Sequence, residues 1–346
     1  MAKFTFRLGC IIFMLLVVST SCKQKPIVNP EKIWRVGLIG GMGGFNDAGF
    51  NQNIMAGYLK AAKDLPLNCQ SFDITSVDDI SKGINYFLAN GIDLIITSTF
   101  DAAQATIDAA NANPAIDFVI IDYAMASPPP NLMCVRFDVD QASFPCGFLA
   151  AYWADKQNHT NPVTGFVAGP EIPEIRQFSV SYLNGVEYFN KQYNRNVASL
   201  GYFSTSFADT LEGAKLADSL IRQNASVIFA FAGKTGNGAL YKAKEAGKWA
   251  IGVDVYQYYS IPAVGPALLT SCMKELDVMV YQIMFDYYYL KFSGGTIIHG
   301  NLNNGGVGKA PYHNYDALIP DSIKTALADI EAGIMHGTIS TGWTEK

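Results

Sequence analysis

Residues 34–52 decide the fold. Trp34-Arg35-Val36-Gly37-Leu38-Ile39 runs into Gly40-Gly41-Met42-Gly43-Gly44, and then into Phe45-Asn46-Asp47-Ala48-Gly49-Phe50-Asn51-Gln52. The first six residues are mostly apolar and of strand length, as expected of a strand buried on both faces. The glycines supply a tight turn. Asn and Asp then precede a helical pattern over Asn51–Asp64, where their side chains can cap free N–H groups. Strand, glycine turn and helix together open a βαβ unit.

Working outward, the same rhythm repeats. Strand-like runs fall at Cys69–Ile74, Asp93–Ser98, Asp117–Asp122 and Leu132–Phe137, with helical patterns at Asp79–Asn90 and Ala102–Asn113. Asn90-Gly91 and Asn113-Pro114 are stop signals for the last two helices. After Ser127-Pro128-Pro129-Pro130 a second series follows. Its strands are Val163–Ala168, Val197–Phe203, Val227–Ala232 and Trp249–Val253, alternating with helices at Gln141–Asp155, Glu174–Lys191, Thr210–Arg222 and Gly238–Ala246. Beyond Asp254 come a strand at Ala267–Cys272, a helix from Lys274 to Lys291, a Gly/Asn-rich stretch and a last helix at Asp321–Gly333. Two α/β halves, each a parallel sheet covered on both faces, are therefore expected.

Composition agrees. The 346 residues are 49% hydrophobic, enough for two cores, and the formal charge of -5 lacks the basic footprint of a nucleic-acid binder. At the N-terminus, Lys3 and Arg7 precede the apolar run Leu8–Val18 and then Ser19-Thr20-Ser21-Cys22. The run is too short for a lasting membrane span and reads as a secretory signal over residues 1–21. Small residues before Cys22 resemble a bacterial lipobox, which implies acylation of Cys22 (palmitate or a similar chain) and a tether over residues 22–32. A plain cleaved signal is the simpler alternative. Removing residues 1–21 takes away two positive charges and leaves -7.

Several chemistries are excluded. Cys69, Cys134, Cys146 and Cys272 sit in or beside apolar runs, and neither they nor the scattered histidines show metal-ligand spacing. The glycine turn gives Gly41 and Gly43 but Asn46 where a dinucleotide fingerprint needs a third glycine. Gly233-Lys234-Thr235 imitates the end of a P-loop, yet Ile228 occupies the place of its first glycine. No catalytic constellation, metal site or cofactor is expected.

Ligands of open α/β sheets bind beyond the carboxyl ends of strands. Those ends offer the glycine turn, Thr97-Ser98-Thr99-Phe100-Asp101, Asp122, Gly169-Pro170-Glu171, Ser204–Asp209, Ala232–Gly236 and Asp254. Phe supplies a π face and carboxylates accept from hydroxyl pairs, so the mix suits an aromatic ring carrying hydroxyls.

Gly44–Gln52 resembles a signature of the basic membrane protein family of substrate-binding lipoproteins, which includes purine nucleoside receptors. FVIID at 118–122, GFLA at 147–150, GFVAG at 165–169, Ser206–Asp209, AGKTGNG at 232–238, WAIGVD at 249–254, Leu269–Lys274 and Gly305–Val307 follow in family order. The resemblance spans roughly residues 33–333. It implies a type I periplasmic-binding-protein fold, with two doubly wound lobes joined by three crossovers. The first lobe would take 33–138 and about 264–296, the second 139–263 and about 297–346. It further implies a receptor on the bacterial envelope, facing the periplasm or exterior. Such a receptor binds a nucleoside, a purine one before others, in the cleft between the lobes and passes it to an ABC permease.

Carried over by motif, the resemblance implies Asn46, Asp47 and Asn51 as polar ligands, Phe50 as the stacking ring, and Asp122 facing the cleft. From the second lobe it implies Phe207 as the opposing aromatic, with Phe178 as competitor, Gly233 as a backbone contact, and Asp254 on the ribose diol. Lys274 completes the set and is placed with the first lobe. Bland readings stand beside these. Phe50 is otherwise a core plug, and Asp47 and Asn51 are otherwise helix caps. Asn46 and Gly49 depart from the family's acid and Ser. Two other functions stand beside nucleoside import: riboflavin or another aromatic polyol in the same fold, with Tyr256–Ser260 widening the site, and a surface adhesin without transport.

Overall fold

The computed structural model describes residues 32–344. The expected signal peptide, the acylated Cys22 and nearly all of the tether lie outside the described residues. The chain forms strands β1 (Trp34–Ile39), β2 (Leu67–Phe72), β3 (Leu94–Ser98), β4 (Asp117–Ile121) and β5 (Leu132–Phe137). Helices α1 (Phe50–Asp64), α2 (Asp78–Ala89) and α3 (Ala103–Ala112) lie between them. The second series has β6 (Val163–Ala168), β7 (Ala198–Phe203), β8 (Ala225–Phe231), β9 (Trp249–Asp254) and β10 (Leu268–Lys274). Its helices are α4 (Asp140–Gln157), α5 (Pro173–Tyr193), α6 (Thr210–Arg222), α7 (Gly233–Glu245) and the single turn α8 (Gln257–Ser260). Helix α9 (Leu276–Tyr288), β11 (Thr296–Gly300), β12 (Val307–Lys309) and α10 (Asp321–Met335) complete it.

Two six-stranded sheets result, ordered β11-β5-β4-β3-β1-β2 and β12-β10-β9-β8-β6-β7. The two orders are the same permutation, so each strand of one half has a counterpart in the other. All pairings are parallel except β10 with β12. Parallel sheets must be covered on both faces, and here α1 and α9 cover one face of the first sheet and α2 and α3 the other. On the second sheet α4, α5 and α10 oppose α6 and α7. Helices α4 and α5 cross very closely. A Cβ on Gly147 would lie 2.0 Å from the Tyr182 carbonyl, and one on Gly185 equally close to that of Phe144, so only glycine fits.

Three connections join the lobes, after β5, after β10 and after β11. Their positions correct the expected boundaries. Residues from about 264 were expected in the first lobe, but β10 pairs in parallel with β9 in the second sheet. The chain returns to the first lobe only at α9, which packs on α1. β11 then pairs with β5 as far as Gly300, beyond the expected 296. The reason is local: α8 and the 3-10 turn Pro262–Ala267 form one more short crossover within the second sheet rather than a hinge. Lys274 accordingly ends a second-lobe strand and does not begin a helix. Elsewhere strand and helix ends shift by three residues at most, but α7 begins at Gly233 instead of Gly238.

Candidate functional site

The carboxyl ends of β1, β3, β4, β8, β9 and β10 face one another across a cleft between the lobes. The cavity enclosed there is about 100 Å³. Nine of the ten expected site residues line it: Asp47, Phe50, Asn51, Asp122, Phe178, Phe207, Gly233, Asp254 and Lys274. Asn46 does not. It is exposed, because the loop turns outward there while its neighbour Asp47 folds back onto α1.

The first-lobe side is built by the start of α1. Gly49 at the helix N-cap has no side chain to offer, so Asp47 does the capping. Its Oδ1 accepts from the N–H groups of Gly49 (2.9 Å) and Gln52 (3.1 Å), and its Oδ2 from the Asn51 N–H (2.9 Å). Asn51 is committed as well. Its Oδ1 accepts from Gly41 N–H at 3.0 Å, while Nδ2 donates to the Met42 carbonyl and to Asp47 Oδ2. The capping reading is therefore realised for Asp47 but not for Asn51, whose side chain bonds the glycine turn and Asp47 instead, and together they pin that turn against α1.

The floor is electrostatic. Asp122 follows β4 with φ +62°, and Asp254 ends β9 with φ +61°. They occupy equivalent places in the two sheets, in a left-handed conformation that Asp tolerates better than most residues. Lys274 lies between them, Nζ 2.6 Å from Asp122 Oδ2 and 3.7 Å from Asp254 Oδ1, with its side chain 6% exposed. Burial works to lower the lysine pKa, but Asp122 and Asp254 prevail and raise it, so it stays charged. Burial pushes Asp254 up from 3.8 to about 6 despite Lys274. The ammonium also lies 5.3 Å from the ring centroids of both Phe50 and Phe178, a cation–π arrangement that offsets lost hydration.

The aromatic walls differ. Phe178 is 1% exposed and stacks on Phe231 at 5.3 Å, which leaves little face for a ligand. Phe207 is half-buried and its ring lies directly on Gly169, where a Cβ would clash at 2.2 Å. The cleft also holds residues that the sequence reading did not single out. Asp101 after β3 and Glu174 in the first turn of α5 both have pKa values raised by burial. Thr99, Lys234 and Phe231 join them. Thr99 and Asp101 were visible as a polar strand end, whereas nothing local marked Glu174.

The Tyr256–Ser260 segment does not line the cleft; Tyr256 and Tyr258 stack on His313 instead. Cys69, Cys134, Cys146 and Cys272 are free thiols, the last three buried. Among the described residues no group of His, Cys, Asp and Glu could hold a metal, and no helix is long and apolar enough to cross a membrane.

Two wound lobes with a polar and aromatic cleft at their strand ends define a protein of the periplasmic-binding type. The fold matches an ABC transporter solute-binding protein of Aeropyrum pernix with TM-score 0.81 and 23% identity, covering 89% of this chain and 93% of that one. The chain belongs to the family described as ABC transporter substrate-binding protein PnrA-like, whose model matches residues 37–337. It is 29% identical over 308 residues to the "ABC transporter nucleoside-binding protein BmpA" of Lactococcus lactis, covering 84% of this chain and 85% of that protein. It is 26% identical to "Basic membrane protein B" of Borreliella burgdorferi, covering 86% and 87%. An uncharacterized lipoprotein of Pyrococcus furiosus is also 26% identical, covering 92% and 79%.

Proposed function

We propose that the protein is a nucleoside receptor of an ABC importer, with a purine nucleoside held between the lobes and handed to a membrane permease. One observation carries this reading: a buried Lys274–Asp122–Asp254 cluster lies beneath a space walled by Phe50 and Phe207. A purine fits between two π faces, and a ribose diol donates two hydrogen bonds to a carboxylate such as Asp254. Phe207 is preferred over Phe178 as the second ring because it keeps a face free. Asp122 and Lys274 serve as polar partners on the floor, Gly233 as a backbone contact, and Asp47 and Asn51 as the frame of the turn. The Lactococcus relative's name supports a nucleoside, and the Pyrococcus relative's name supports an envelope lipoprotein. A signal peptide over residues 1–21 and acylation at Cys22 would provide that anchor. Widening of the site for a flavin finds no support, since Tyr256–Ser260 lies outside the cleft.

The test is mass spectrometry of small molecules released by denaturing freshly purified protein. A purine nucleoside is expected. A yellow flavin, or a released ligand with no ribose, would overturn the proposal.

A further inference from the structure

Three hydrogen bonds cross the rim of the cleft, and all end on backbone carbonyls of one first-lobe loop. Lys234 Nζ donates to Gly43 O at 2.8 Å, Asn237 Nδ2 to Asp47 O at 3.2 Å, and Ser260 Oγ to Ala48 O at 2.9 Å. Asn237 and Ser260 are outside the cleft lining, so their role is separate from ligand contact.

Both sides of this contact are stiffened before they meet. The loop is pinned to α1 through Asp47 and Asn51, as described above. On the second lobe, Gln257 is 3% exposed and its Oε1 accepts from the Val253 N–H at 2.8 Å. That leaves Gln257 Nε2 as the donor to Asn237 Oδ1 at 3.0 Å. Asn237 must then present its NH₂ group, and not its oxygen, to the Asp47 carbonyl. The order of donors is thus fixed from the strand that ends in Asp254 out to the opposite lobe. Close approach depends on Gly252, where a Cβ would meet Gln257 Oε1 at 2.5 Å.

We propose that Asn237, with Ser260 and Lys234, forms a clasp that holds the lobes closed, and that Gln257 positions it. The clasp favours the closed state even without ligand, so a bound molecule needs less of its own binding energy to close the cleft. It also slows ligand escape. Asn237 and Ser260 are positioning residues, since they touch no ligand.

The experiment compares wild type with Asn237→Ala/Ser260→Ala and with the isosteric Asn237→Asp, which loses the donor to Asp47. Full-length chains are used, with any detergent contrast-matched in small-angle neutron scattering. Retained melting temperatures show that the variants fold. Without ligand, both variants should have a larger radius of gyration than wild type. With guanosine as probe, dissociation should be faster by about three- to tenfold, the scale of losing roughly one neutral hydrogen bond. An unchanged radius in ligand-free, folded variants overturns the clasp whatever the kinetics show. An expanded radius with no guanosine binding in wild type supports the clasp and removes only the nucleoside reading, on which the kinetic arm rests.

Discussion

Lys274 Nζ meets Asp122 Oδ2 at 2.6 Å although the two residues leave different sheets, β10 of the second and β4 of the first. The ion pair therefore spans the lobes and lies at the floor of the cleft. Opening the lobes would separate it and expose a lysine that burial otherwise penalises. Asp254, 3.7 Å from the same ammonium, shares the cation from the second-lobe side.

Replacing that cation should be costly. Lys274→Met leaves Asp122 and Asp254 buried without a counter-charge, a change of the kind that destabilises by about 3–5 kcal/mol. Urea unfolding at pH 7.5 and pH 5 is the check. The loss should shrink at the lower pH, where Asp254, raised to about 6 by burial, takes up a proton; an equal loss at both would show that packing, not charge, is at stake.

Asp254 should make ligand binding pH-dependent. Its carboxyl is raised by burial from 3.8 to about 6, so between these values the native chain holds more proton than the unfolded one. Its contribution to stability is thus fully present below about pH 4 and is lost as pH rises through about 6. Binding runs the other way, because a ribose diol donates to the ionised form. Nucleoside affinity should rise from pH 5 to pH 7, with proton release seen by calorimetry in buffers of different ionisation enthalpy. Asp254→Asn should flatten the profile.

Phe50→Ala should weaken binding by about 1–3 kcal/mol, the scale of base–aromatic stacking. Phe207→Ala should do the same. Phe178→Ala should act mainly through stability, by about 3–5 kcal/mol, because that ring is core. Melting curves alongside binding isotherms separate the three. Equal affinity losses for Phe178 and Phe207 at equal stability would contradict the assignment.

Much of this was legible in the chain. Strand ends are marked by β-branched runs breaking into Gly, Asp or Asn, which is why Asp122, Asp254 and the glycine turn could be placed from sequence. The sheet to which a strand belongs is not written in it. β10 reads the same whether it joins β9 or crosses to the first lobe, and only its pairing with β9 places Lys274 in the second lobe. Asn46 failed for a related reason: adjacent loop residues point oppositely, and only the capping contacts of Asp47 decide which one faces in. Glu174 was missed because an acid in a helix's first turn is ordinary on dipole grounds alone.

In the proposed complex the cleft grips a sugar through Asp254 as well as a base through Phe50 and Phe207. Calorimetry of the purified protein with guanosine, inosine and adenosine, set against guanine, hypoxanthine and adenine, tests it most directly. The nucleosides should bind about tenfold or more tightly than their free bases, since a charge-assisted hydrogen bond contributes roughly 1.5–3 kcal/mol. Free bases that bind as tightly as nucleosides, or no heat from any nucleoside, would contradict it.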